Sequence, residues 1–281
     1  AMRKFNFYRW EMKNGKSHNV RDGVSALTDA MAASLQQKVL MNKPVTRIEA
    51  GPKRVTVSCT DGSTHSARAC ISTIPLPVMK DIRVEGAVVP RQREAWAKLP
   101  YGEVVVVSLR IDKPFWERDG LPAGLWSDGM LERVFYTQRP GEPLGLLQVF
   151  INGQTAISLQ GMAPQAIGAM VIRELAKARP STVGAVSLGH VHDWRAVPTA
   201  RGHIASYAPG DIGRYEAALQ QPGGRLHFAG DHLGRLQSLG QLAAAVDGVQ
   251  VLRDRALADQ HPHPLAQLLQ RGDGRQRRAR R

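Results

Sequence analysis

Apolar and polar positions repeat along the chain with two different periods, and the changes of period mark out its elements. Leu27, Met31 and Leu35 recur every fourth residue, so the spacing predicts a helix over 24–37, with Asp22 or Ser25 to cap its start. Short strands are expected at Val39–Met41 and Pro44–Ile48. Val55, Val57 and Cys59 alternate with polar residues up to Asp61-Gly62, and a second run through Ala67, Ala69 and Ile71 follows. Two period-two runs about a DG turn predict a β-hairpin. Ser72-Thr-Ile-Pro-Leu-Pro77 ends it, because two prolines cannot sit inside a sheet.

Charged helix formers fill the stretch between Pro90 and Pro100, and a strand from Gly102 to Ile111 is closed by Lys113-Pro-Phe-Trp116. Further short strands are expected around Leu125, Val134–Thr137, Leu146–Ile151 and Ala156–Leu159. Pro164 opens a helix, where its missing N–H costs nothing, and Pro180 stops it; Ile167, Met170, Val171 and Leu175 form its apolar stripe. Strands near Val186–Trp194, His203–Tyr207 and Arg225–Gly230 follow, then a loop and a helix from about Leu239 to Ala258. This mixed order implies an α/β (α+β mixed) fold with a largely antiparallel middle section.

With 281 residues, 43% of them hydrophobic, the chain can bury a substantial core in one or two domains. The net charge of +14 raises nucleic-acid binding, but residues 271–281 alone hold six Arg and one Asp, a basic tail that reads as a solvated appendage. No zinc-finger spacing or aromatic–basic alternation accompanies it, so no specific nucleic-acid partner is expected. Cys59 and Cys70 form no CxxC and are expected as free thiols in a reducing, cytoplasmic setting. The first sixteen residues have no apolar segment of the secretory kind, and the longest strongly apolar run, Val104–Val107, is far too short to span a bilayer. His190, His192, Asp193 and His203 lie close in sequence, but no third-ligand spacing supports a metal site, and none is expected.

The chemistry is carried by a strand ending in Phe228-Ala-Gly230, an acid at Asp231, and a following loop and helix. Glycine lets backbone approach a ligand closely, an acid can accept a ribose or ribityl hydroxyl, and a helix N-terminus offers free N–H groups. With this segment the sequence resembles the flavin-containing amine-oxidase family. Four more stretches match in the family's order: Val39-Leu-Met-Asn-Lys-Pro-Val-Thr-Arg-Ile48; the DG hairpin into Cys70-Ile-Ser-Thr-Ile-Pro75; Leu99-Pro-Tyr-Gly102 with Lys113-Pro-Phe-Trp116; and Asp193-Trp194 with Pro198 and Gly202-His203.

The resemblance implies FAD as cofactor and a role for each matching position. Val45 would meet the adenine, Thr73 to Pro75 would pass close to the cofactor, and Trp194 would stand beside the flavin ring. Gly230 and Asp231 would lie on the ribityl-phosphate side, and Leu242 under the pyrimidine edge. Ile204 and Gln241 take the two positions that flank substrate with aromatics in monoamine oxidases. Val106 stands where the family commonly has a lysine, and His203 where some members have a cysteine bonded to the flavin. No catalytic base can be named, and cage-type monoamine oxidase activity is not expected.

The family also begins with a strand–GxGxxG–helix unit, whereas the only G-x-G here is Gly272-Asp-Gly274. The expectation is therefore an FAD-binding lobe, itself partial, from residues 1–80 and 208–260, a substrate lobe from 81–207, and a disordered tail from 261–281. The expected activity is dehydrogenation of a small molecule (an amine, amino acid or other reduced organic compound) by hydride transfer to flavin, with a separate chain carrying the GxGxxG half as a possible partner. The alternatives are a non-catalytic relic or complementing subunit of a split flavoenzyme, and an FAD-dependent desaturase or protoporphyrinogen-oxidase-like enzyme.

Overall fold

The computed structural model describes residues 23–86, 88–138 and 141–233. Helix α1 (Val24–Ala33) is shorter than its periodicity suggests and buries none of its residues; Leu27, Met31 and Leu35 are all about half exposed. The strand expected at Val39–Met41 does not form, and its side chains lie on the surface.

The chain then builds two cores. In the first, β1 (Val45–Ala50), β2 (Val55–Cys59) and β3 (Thr64–Ala67) form an antiparallel meander, with Gly62 at φ 82° in the turn between β2 and β3. The second arm of the hairpin stops at Ala67. Its expected continuation is a separate strand, β4 (Cys70–Ser72), which leaves that sheet. Pro75 precedes helix α2 (Leu76–Met79), and β5 (Arg83–Glu85) returns to pair parallel with β1, giving the order β3-β2-β1-β5. Helix α3 (Pro90–Lys98) covers this layer with Ala95 and Trp96. Ile48, Leu76, Val84, Trp96, Tyr215 and Leu226 belong to one buried cluster. Ile82, Val88 and Leu99 belong to the same cluster.

The second core is built on β6 (Val104–Ile111). Its alternate residues Val105, Val107 and Leu109 are fully buried. With β7 (Leu125–Trp126), β8 (Arg133–Thr137), β9 (Leu146–Asn152) and β10 (Val186–Asp193) it makes an antiparallel sheet in the order β10-β6-β9-β8-β7. Helix α4 (Trp116–Asp119) follows the Lys113-Pro-Phe stop. The strand expected at Ala156–Leu159 does not form; helix α5 (Gly153–Ser158) takes its place, with Gly153 turning the chain at φ 57° as it leaves β9. Helix α6 (Pro164–Ala178) starts at its proline and packs Ile167, Val171 and Leu175 onto the sheet. It sits so close to β10 that a Cβ on Gly168 would fall 2.4 Å from Leu188. A buried Leu or Val contributes about 1.5–3 kcal/mol, so this stripe is the main bond between helix and sheet.

After β10 the chain returns to the first core. His203–Tyr207 makes only one bridge pair, Tyr101 with Ala205, rather than a strand. An unanticipated helix, α7 (Asp211–Leu219), precedes β11 (Leu226–Phe228), which pairs parallel with β4. The helix expected over 239–258, with Gln241 and Leu242, and the basic tail lie outside the described residues. Among the described residues no helix is long and apolar enough to cross a membrane.

One polar tie locks the second core. Arg179, 7% exposed in its side chain, donates from Nε and Nη2 to Asp119 at 2.8 Å each, and to the carbonyl oxygens of Leu121, Pro122 and Ala123. Those hydrogen bonds, led by the Arg179 guanidinium and then the Ser181 hydroxyl, hold the Asp119 carboxyl well below the usual carboxylate range. A carboxylate with a lowered folded pKa stabilises the fold fully above its unfolded pKa, and the contribution is lost as pH falls through the folded value. Arg179→Ala is expected to cost about 3 kcal/mol near neutrality, since it strands three carbonyls and an anion. In chemical denaturation at stepped pH, the gap between wild type and variant should narrow as pH falls below about 4. A gap independent of pH would contradict this account.

Candidate functional site

The two cores are joined by a short antiparallel ribbon through which the chain passes out and back. Gly102 N–H donates to Ile204 O at 2.7 Å, His203 N–H to Gly102 O at 2.9 Å, and Ser206 N–H to Pro100 O at 2.8 Å. Gly102 has little room for a side chain and Gly202 has none. A Cβ on Gly102 would stand 3.3 Å from Ile204 O, and Gly202, at φ 145°, packs where a Cβ would lie 2.7 Å from the Tyr101 ring.

Beside the ribbon, β10 ends and a turn begins at Trp194. The turn is held by Asp193, whose carboxylate accepts from Arg195 N–H at 3.0 Å and from its guanidinium at 2.8 and 2.6 Å. The Arg195 side chain holds the Asp193 carboxyl below its ordinary range and is itself raised by that bond. Glu103 adds a looser contact, 3.5 Å from Arg195. Trp194 O accepts from Gly202 N–H at 3.0 Å, which closes the loop back onto the ribbon. The half-buried indole meets His192 edge-on at 4.6 Å and His203 at 5.5 Å between ring centroids.

The other wall comes from the β4–β11 pair. These strands are parallel, Phe228 lies opposite Ser72, and Ala229 N–H donates to Ser72 O at 2.9 Å. Thr73–Pro75 and Ala229–Asp231 therefore leave the carboxyl ends of neighbouring parallel strands side by side, the place where open sheets form ligand crevices. Gly230 has φ 136°, and a Cβ there would lie 2.9 Å from the His232 imidazole. The returning segment reaches both exits: Arg201 pairs with Asp81 and donates to Pro77 O at 3.3 Å, and Tyr207 Oη donates to His232 O at 3.0 Å.

Sequence-derived positions therefore converge in part. Thr73 and Pro75 stand beside Gly230 and the backbone of Asp231, and Trp194, His203 and Ile204 lie on the segment that contacts both exits. Val45 opens β1 in the four-stranded sheet and packs at the rim of the first core. Val106 is buried on β6 directly opposite His192. Gln241 and Leu242 lie outside the described residues. Sequence reading missed Asp193–Arg195 as the brace of Trp194; an acid two residues before a basic residue at a strand end was the available signal. Among the described residues no group of three His, Cys, Asp or Glu side chains is placed to hold a metal, and Cys59 and Cys70 are free thiols.

Known proteins share this fold. The model of the family described as flavin containing amine oxidoreductase matches residues 2–238. The flavin-dependent L-tryptophan oxidase RebO of Lentzea aerocolonigenes is 26% identical over 222 residues, covering 75% of this chain and 47% of that protein. An L-amino-acid oxidase of Bothrops moojeni is 25% identical over 251 residues, covering 83% of this chain and 48% of its own length. The chain thus spans about half the length of the curated relatives it matches. In fold, it is similar to putrescine oxidase bound to putrescine (TM-score 0.73, 21% identity, 83% of this chain and 53% of that one). Cyclohexylamine oxidase from Brevibacterium oxydans is also similar (TM-score 0.69, 25% identity, 82% and 53%).

The ribbon makes a specific demand. Gly202→Ala is expected to cost about 2 kcal/mol, combining an unfavourable φ with the Tyr101 clash, and to change the near-UV signal of Trp194. Gly62→Ala, at a positive φ but in open space, should cost about 1 kcal/mol and leave that signal alone. Equal effects of the two substitutions on Trp194 would contradict the assigned role of the ribbon.

Proposed function

The chain belongs to the flavin-containing amine oxidoreductase family, and on that premise we propose that it supplies the substrate face and the flavin-ring contacts of an FAD-dependent enzyme that dehydrogenates an amine or amino acid. The observation that supports this is the side-by-side exit of the parallel strands β4 and β11, tied through Arg201 and Tyr207 to the segment that follows the braced Trp194 turn.

The residues present fit a flavin. Ile74, Pro75 and Trp194 offer apolar, half-buried walls of the kind a planar ring requires. Gly230, in a conformation that favours glycine, brings backbone rather than side chain to the β11 exit. In this proposal Thr73–Pro75, Gly230, Asp231 and Trp194 hold the ring and ribityl portions, and the Val45 backbone faces the adenine. The described 281-residue sequence has no Gly-x-Gly-x-x-Gly, so the pyrophosphate cradle would come from outside these residues, in the same polypeptide or another. FAD, when bound, supplies the two-electron acceptor.

The protein's own part is to position substrate carbon and exclude water. The Asp193–Arg195 brace fixes the Trp194 backbone before any ligand arrives, so ordering the wall costs little on binding. Val106 offers no proton acceptor, and the nearest ionisable side chain on its face is His192, its cross-strand partner. The two free thiols suit a reducing compartment such as the cytoplasm.

An FAD titration read by flavin absorbance and fluorescence tests the proposal. FAD should bind with a perturbed flavin spectrum, in the chain alone or once a chain bearing the GxGxxG unit is added. Trp194→Ala should weaken binding about tenfold, or about 1.4 kcal/mol. Absence of binding under both conditions would reject the flavoenzyme and favour a non-catalytic relic.

A further inference from the structure

Helix α1 and the run that follows it expose what the rest of the fold buries. Leu27 and Met31 on the helix and Leu35 just beyond it are about half exposed, and Val39, Leu40 and Met41 are 51%, 60% and 72% exposed. No residue of α1 is buried. A ten-residue helix is marginal in water unless its apolar face is packed. So much apolar surface in one stretch marks an interaction site.

The pattern says what kind of partner fits. Successive residues of an extended segment point to opposite sides, so one flat surface does not cover Val39, Leu40 and Met41 together. Continuous apolar runs of this kind belong to strands of a parallel sheet that carries layers on both faces. A helix followed by such a run is an α/β element without its sheet. Among the described residues no strand pairs with residues 39–41. A second copy of the chain brings only the same helix and the same run, and pairing the two runs leaves one face of each bare. The run is also held in a fixed position. Asn42 turns the chain at φ 57°, Lys43 pairs with Asp61 and donates to Ser63 Oγ at 3.3 Å, and Thr60 N–H donates to Pro44 O at 2.9 Å. These contacts set the run against β1, which starts at Val45. The matched relatives have the length for such a partner, since the chain spans 47% of RebO and 53% of putrescine oxidase.

We propose that α1 and Val39–Met41 are the docking surface for the phosphate-binding half of the flavoenzyme, a parallel α/β unit that carries the Gly-x-Gly-x-x-Gly turn. Val39–Met41 joins its sheet as a strand, and the apolar side of α1 packs on it. The identity of that half rests on the flavin function proposed above; the need for an α/β partner does not. Val45 lies four residues beyond Met41, so FAD that reaches Val45 touches both halves. Docking and FAD binding then strengthen each other by the same factor.

The probe is the part of RebO outside its match to this chain, co-expressed with the whole chain and stripped of FAD. Light scattering should show a one-to-one complex. Residues 24–41 should exchange amide hydrogens at least tenfold more slowly in it than in the chain alone. The triple variant Leu27→Glu, Met31→Glu, Leu40→Glu should raise the dissociation constant at least tenfold. Its three side chains are exposed, so its near-UV circular dichroism should match the wild type. Trp126→Ser, which alters an equally exposed side chain on the five-stranded sheet, should bind the probe as the wild type does. No complex, a complex as tight in the triple variant, or protection confined to the five-stranded sheet would overturn the surface. A dimer of the chain itself, lost in the triple variant and formed in place of the complex, would overturn it too. FAD added last should tighten the complex. A complex indifferent to FAD would support the surface and count against the flavin reading alone, which keeps the two failures distinct.

Discussion

The backbone ribbon at Gly102 and Gly202–Ile204 is the constraint on which the rest of the molecule depends. Each core could pack alone, but their relative placement is set where the outgoing and returning strands hydrogen-bond at 2.7–3.0 Å. Gly202 is the strictest point of this junction, because its φ of 145° and the Tyr101 ring, 2.7 Å from where a Cβ would lie, both exclude a side chain. One consequence is local: Trp194 O is taken by Gly202, so the indole is fixed at the junction. Another is global, because the returning segment is then tied to the chain after β4 through Arg201 and to the chain after β11 through Tyr207.

Charge is used unevenly around this junction. Some ion pairs, such as Lys98 with Glu94 and Lys177 with Glu174, join exposed neighbours along one helix, where water screens them. Two half-buried or buried arginines act differently. Arg179 ties α4 and the loop after it to the end of α6, and Arg195 braces the Trp194 turn; each has its carboxylate and the geometry to use it. Arg133 stands apart because aromatic rings, and no anion, surround it. An arginine that stabilises the fold finds its acceptors within the fold.

Much of the architecture was legible because local signals agreed with the tertiary outcome. The DG hairpin, the proline-bounded helices α3 and α6 and the valine run of β6 all combine period and punctuation. Misses occurred where tertiary context decided. Ala156–Leu159 is a short apolar run that fits a strand or a helix, and Gly153 before it selects the helix. Val39–Met41 has strand-like residues but no neighbouring strand among the described residues to pair with. Residues 70–72 continue the hairpin in sequence but pair with β11, more than 150 positions away, which no local pattern reveals. The site divides in the same way. Gly230 and Asp231 stood out from the strand–glycine–acid arrangement, Thr73, Pro75 and Trp194 could be singled out only through family resemblance, and the Asp193–Arg195 brace shows only once the turn is folded.

The central claim is that the ribbon and the β4–β11 exits together form the flavin-ring site. Photolabelling with 8-azido-FAD, followed by peptide mapping, tests it most directly, because the azide sits on the ring itself. The account predicts label on the Trp194–Ile204 and Thr73–Pro75 segments, suppressed by excess FAD. Label confined to the α6 face of the second core, or no label that FAD suppresses, would contradict it.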